Sequence, residues 1–170
     1  MLTVKLLNIK VEKQEQFLVI MLFGHILKKS GDWRDKEILF GDLGDEELYK
    51  IPFPKDVPRE ISLLASEVTS LLKRSYGNLG DRYATLAYIH YQFIRIHPFN
   101  DGNGRIARAI TDQLSIYFGL PPAMAGYPRH DDKRREGYHH AIKSCIVDPT
   151  CSELADWISS YIKKQLENLA

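Results

Sequence analysis

The stretch HPFNDGNGRIAR, residues 97–108, decides how this chain reads. It packs a histidine, a proline, an acid, two glycines around an asparagine and two arginines between two apolar segments. Upstream, residues 82–96 are almost continuously apolar and aromatic, which reads as a helix buried on most sides. Asp81 is the expected N-cap of that helix. Pro98 disfavours helical geometry at His97, so the helix is expected to stop there. Downstream, a second helix is expected from about Asn103 to Phe118, ending at Gly119 with Pro121 and Pro122 beyond. The stretch is thus the elbow of a helix–loop–helix unit over about 82–118.

The residue types in the elbow point to anion chemistry. Gly102 and Gly104 permit backbone conformations closed to other residues and let a ligand approach the main chain. A helix beginning here carries unpaired N–H groups and a partial positive charge, which suits phosphate. Arg105 and Arg108 lie three apart and share a helical face. Cations at a helix N-terminus oppose the macrodipole, at roughly 0.3–1 kcal/mol each when exposed. A bound polyphosphate would reverse the sign of that effect, and pairing with Asp101 or Asp112 would equally account for it.

Asp101 beside such a cradle suits Mg²⁺, which takes one or two carboxylates and completes its shell with phosphate oxygens and water. It also suits a helix cap, and both roles can hold at once. His97 titrates near neutrality when unperturbed and stands at the rim of the anion site, as a base or as a structural residue. His90, His139 and His140 read as structural. There is no Walker A loop, no dinucleotide Gly-x-Gly-x-x-Gly after a strand and no histidine pair with zinc-protease spacing.

Outside the elbow the chain reads as one mainly α-helical domain over residues 1–170. Helical patterns occupy about 11–29, 58–75, 131–146 and 152–168. The β-prone runs EILFG (37–41) and LYKIPF (48–53) flank DLGDEE and read as a hairpin. With 23 basic and 22 acidic residues, the balance excludes a general nucleic-acid binder. The longest apolar run, Phe17 to Leu27, is too short for a bilayer, so no membrane association is expected. The first residues are broken by charges and do not read as a secretory signal. The two cysteines, Cys145 and Cys151, match no zinc or redox motif and read as reduced thiols without a chemical role. A cytoplasmic protein, or an effector delivered into a host cytosol, is expected.

The stretch resembles the signature of Fic-domain proteins, His-Pro-Phe-x-Asp/Glu-Gly-Asn-Gly-Arg-x-x-Arg, at every specified position. GDWRDKEILFG (31–41) looks like the segment opening that family's flap hairpin, AYIHYQFIRIHPF (87–99) like its core helix, and REGYHHAI (135–142) like the segment after the motif. The resemblance implies a Fic-fold helical bundle with a β-hairpin flap at about 31–57. It further implies Mg²⁺-dependent transfer of AMP from ATP to a hydroxyl side chain of a target protein docked on the flap. In that reading His97 is the general base and Asp101 the Mg²⁺ ligand. Asn103, with the backbone at Gly102 and Gly104, forms the anion hole. Arg105 and Arg108 contact the triphosphate, and Phe99 anchors the loop.

UMP, phosphocholine or phosphate transfer on the same scaffold, or a silent nucleotide-binding module, are the alternatives. Gly104 stands where the kinase-like branch has Lys. No segment matches the family's inhibitory Ser/Thr-x-x-x-Glu-Gly/Asn helix; KKQLEN (163–168) and DKRREG (132–137) lack the Ser or Thr. Three sources of inhibition are therefore open: a separate inhibitory antitoxin chain as a further partner, sequence outside these residues, or the degenerate KKQLEN itself through Glu167.

Overall fold

The computed structural model describes residues 33–38, 51–125, 127–128 and 130–167. These residues form a mainly helical architecture of five α-helices: α1 (Val57–Leu72), α2 (Leu79–Ile96), α3 (Asn103–Tyr117), α4 (Asp132–Ser144) and α5 (Ser152–Glu167). A 3₁₀ turn, Pro54–Asp56, leads into α1. The expected helix over 11–29 lies outside the described residues, as does the hairpin centre, residues 39–50. The described flanks of that hairpin, 33–38 and 51–53, carry no strand.

The bundle is organised around α2, which packs against α1, α3 and α5, while α4 packs on α5. Its sequence explains the position. Leu86, Ala87, Ile89, Phe93 and Ile96 are apolar and buried, and together with the buried Tyr83, Thr85, His90 and Tyr91 they cover most of the helix circumference. By contrast α1 and α5 bury one stripe each: Ile61, Leu64, Val68 and Leu72 on α1, and Leu154, Ile158 and Ile162 on α5.

Helix ends follow local chemistry, with one correction. The N-cap of α2 is Asn78, whose extended backbone lets its side chain accept from Asp81 N at 3.0 Å. Asp81 therefore falls inside the first turn, where its carboxylate complements the dipole. The C-terminal end of α3 is as the sequence implies, with Gly119 at φ 73° and Leu120 N bonded back to Ser115 O.

Candidate functional site

The elbow between α2 and α3 begins with an unusual backbone. His97 caps α2 at φ 49°, ψ 60°, a left-handed conformation disfavoured by about 1–2 kcal/mol for a residue with a Cβ. The proline rule predicts extended geometry before Pro98, and the structure departs from it. Arg34 accounts for the difference. Its Nε donates to His97 O at 2.9 Å, and its own backbone N–H donates to Pro98 O at 2.9 Å. The other guanidinium nitrogens donate to Lys36 O at 3.0 Å and to Pro52 O.

Arg34 is 1% exposed, so residues 33–38 hold a buried cation against carbonyls at the end of α2. That location favours positive charge, because the C-terminal end of a helix is the negative end of its dipole. Trp33 stacks on Phe99 at 5.7 Å between ring centroids and 18° between planes.

Asn103 closes the loop from the other side. Its Oδ1 accepts from Phe99 N at 3.0 Å and its Nδ2 donates to Phe99 O at 2.7 Å. Asn103 is 2% exposed, so its side chain is spent on the loop. What this position can offer an anion is therefore its main chain. No side chain among the described residues caps α3, whose N-cap is Gly102 at φ 84°. The N–H groups of the first turn have no intrahelical acceptor and face the mouth of the elbow.

The polar side chains gather at that mouth. Asp101 Oδ1 accepts from Gly102 N at 2.6 Å, and its Oδ2 pairs with Arg105 at 3.1 Å. Both side chains are largely exposed, so this pair is worth about 0–1 kcal/mol and yields readily to a ligand. The ion pair considered from sequence thus forms at Arg105. Arg108 takes another course. Its guanidinium lies 4.0 Å over the Tyr127 ring. A Cβ at Gly104 would stand 3.3 Å from Arg108 Nη1, so the missing side chain at 104 gives that guanidinium its path over the first turn of α3.

His97 Nδ1 lies 3.3 Å from Ile94 O. A proton on Nδ1 in that contact makes Nε2 the basic nitrogen. Burial lowers the His97 pKa from its ordinary value, opposed by the Ile94 carbonyl and reinforced by the Arg34 charge. The imidazole is therefore neutral at physiological pH. For Mg²⁺, Asp101 offers one accessible carboxylate beside the cradle, which fits a metal that takes most of its ligands from phosphate and water. No cluster of three or more His, Cys, Asp or Glu able to hold a metal occurs among the described residues.

The structure thus brings His97, Asp101, Gly102, Asn103, Gly104, Arg105 and Arg108 to one elbow, with Phe99 9% exposed beneath them. Sequence reasoning missed Arg34 and Tyr127, and assigned Tyr138 no role. GDWR and REGYHH were visible as segments, but nothing in a linear pattern says that an arginine will be buried 63 residues from the carbonyl it holds. His90 is fully buried and hydrogen-bonded, and His140 pairs with Glu153 at 2.6 Å on the surface. Glu136 and Glu167, the acids of the two degenerate inhibitory matches, are exposed.

Comparison with known proteins places this arrangement in context. The family model described as the Fic/DOC family matches residues 13–115. A relative named "Protein adenylyltransferase Fic" from Drosophila sechellia is 41% identical over 86 residues, 51% of this chain and 16% of the relative. The protein of that name from Drosophila persimilis is 31% identical over 86 residues, with the same coverage, 51% and 16%. The one from Culex quinquefasciatus is 38% identical over 69 residues, 39% of this chain and 13% of the relative. The match therefore spans between about an eighth and a sixth of the length of these relatives.

Proposed function

The chain belongs to the Fic/DOC family, and from that premise we propose that it is a protein adenylyltransferase that moves AMP from ATP to a hydroxyl side chain of a target protein. The observation that carries this reading is the elbow itself. A neutral histidine, an uncapped helix N-terminus and two arginines converge within twelve residues. The names of the relatives support AMP as the transferred group.

In this mechanism His97 Nε2 accepts the proton of the attacking hydroxyl, whose oxygen forms a bond to the α-phosphorus of ATP. The bond from that phosphorus to the bridging oxygen breaks, and pyrophosphate leaves. The first-turn N–H groups of α3 donate to the phosphate oxygens where negative charge develops. Arg105 and Arg108 take the outer phosphates. Mg²⁺, held by Asp101, would neutralise phosphate charge. Arg34, Trp33 and the Asn103 clamp keep His97 and the start of α3 in register, since small misplacements of reacting groups are costly. The target protein, its docking on the flap and a separate inhibitory chain belong to the same proposal.

Incubation with ATP labelled on its α-phosphate, a lysate and Mg²⁺ tests it. Label should enter protein with the wild type and fall about 10²- to 10⁴-fold with His97→Ala. The acid limb of the rate should lie below the free-imidazole value near 6.5, because burial lowers the His97 pKa. Undiminished labelling by His97→Ala, or label entering protein only when ATP labelled on its γ-phosphate is used instead, would remove the assignment. No helix among the described residues is long and apolar enough to cross a membrane.

A further inference from the structure

Arg108 follows the first turn of α3, with its Nη1 3.3 Å from the point that a Cβ on Gly104 would occupy. There its guanidinium carbon lies 4.0 Å from the centroid of the Tyr127 ring. A cation over an aromatic face is drawn to the negative side of the ring quadrupole, more strongly where water is partly excluded. The ring is itself fixed by its loop, residues 118–131 between α3 and α4. Asp112, one turn beyond Arg108 on α3, accepts from Met124 N at 2.5 Å, and Tyr127 N donates to Met124 O at 3.0 Å. Gln165 on α5 donates to Pro122 O at 2.9 Å, and Ala123 and Met124 are buried between these anchors. Tyr138 on α4 meets Tyr127 edge-on, at 5.1 Å between centroids and 79° between planes. Three helices thus set where the Tyr127 ring stands.

We propose that Tyr127 is a positioning residue whose ring face holds the Arg108 guanidinium over the first turn of α3, in place for the outer phosphates of ATP. This rests on the reading of the elbow as an ATP phosphate site. An arginine at a helix N-terminus opposes the dipole and, left free, would spread over many rotamers in solvent. A carboxylate partner would also hold it, but would compete with phosphate for the same charge, as Asp101 does at Arg105. A ring face attracts the cation without neutralising it, so the full charge stays for the ligand.

Calorimetric titration of ATP and AMP into the wild type, Tyr127→Phe, Tyr127→Leu, Arg108→Ala and the Tyr127→Leu/Arg108→Ala double variant tests the proposal. Tyr127→Phe keeps the ring face and should bind ATP within about twofold of the wild type. Tyr127→Leu removes the face and should weaken ATP about 3- to 30-fold, the range of a cation–π contact, with AMP changed less than about twofold. In the Arg108→Ala background Tyr127→Leu should add less than about twofold, because its effect passes through the arginine. Suppose Arg108→Ala weakens ATP selectively. The positioning role is then overturned, and the phosphate site stands, if Tyr127→Leu binds like the wild type, weakens AMP equally or adds its full effect to Arg108→Ala. A loss with Tyr127→Phe as large as with Tyr127→Leu overturns it too, since the hydroxyl and not the face would then be at work. If Arg108→Ala itself binds ATP like the wild type, the phosphate site falls and this inference with it. Should Tyr127→Leu fail to fold, pentafluorophenylalanine in place of Tyr127 decides. It keeps the ring shape but withdraws negative charge from the face, so ATP should weaken as with the loss of the face; binding equal to that of Tyr127→Phe overturns the proposal.

Discussion

Replacing Asn103 tests whether the elbow is held by a side-chain clamp. The amide makes two buried bonds to a single residue, 3.0 Å to Phe99 N and 2.7 Å to Phe99 O. Asn103→Ala removes both and leaves a buried N–H and a buried C=O. Each orphaned group costs about 1–3 kcal/mol, less where water can enter the vacated space, so a loss of about 2–4 kcal/mol is expected. For a chain of this size that corresponds to a fall in Tm of roughly 4–16 °C.

Asn103→Asp is the sharper probe. Aspartate is nearly isosteric and keeps the acceptor for Phe99 N–H, but it sets a carboxylate oxygen against Phe99 O where an amide donor stood. A carboxylate in the first turn of α3 gains about 0.3–1 kcal/mol from the helix dipole. The repulsion and the burial of a charge in a side chain only 2% exposed exceed that gain. The expected order of stability is Asn, then Ala, then Asp, read from urea denaturation without nucleotide at pH 7. If Asn103→Ala lost less than about 0.5 kcal/mol, or if Asn103→Asp matched the wild type, the clamp would not hold the loop, and Asn103 would have to be assigned a direct contact with ligand.

Three further outcomes follow from the same geometry. His90 has a folded pKa of about 3 against about 6.5 when unfolded. The unfolded chain therefore binds the extra proton first, and stability is lost as pH falls below about 6.5; denaturation at pH 7 and pH 5 should differ by about 2 kcal/mol from this group, a difference that His90→Gln removes. Arg34→Lys keeps the charge but cannot reach the His97, Lys36 and Pro52 carbonyls together, so thermal melts should show a loss of about 2–3 kcal/mol, with label transfer reduced as His97 leaves its left-handed conformation. Asp101→Asn should change nucleotide-free stability by less than about 1 kcal/mol, since its ion pair is exposed, yet raise the Mg²⁺ concentration needed for transfer; an unchanged Mg²⁺ titration would remove Asp101 as a metal ligand.

The sequence by itself determined the elbow and its two helices. Pro98 and the flanking glycines act through local backbone sterics, and apolar periodicity acts through burial, so both can be read along the chain. Those rules located α2, α3 and the chemistry-bearing residues between them, and the literal string carried the family.

Only the tertiary structure decided how those residues are held. His97 adopts a left-handed backbone beneath the buried Arg34, which arrives from 63 residues away. Asn103 turns its side chain inward to Phe99 and leaves the main chain of α3 facing the mouth. Arg105 and Arg108 look alike in sequence, yet one pairs with Asp101 in solvent and the other lies over the Tyr127 ring. The physical reason is common to all three. Desolvated polar groups must find partners, and which partners are within 3 Å is set by the packing of α2, α3 and α4, not by spacing along the chain.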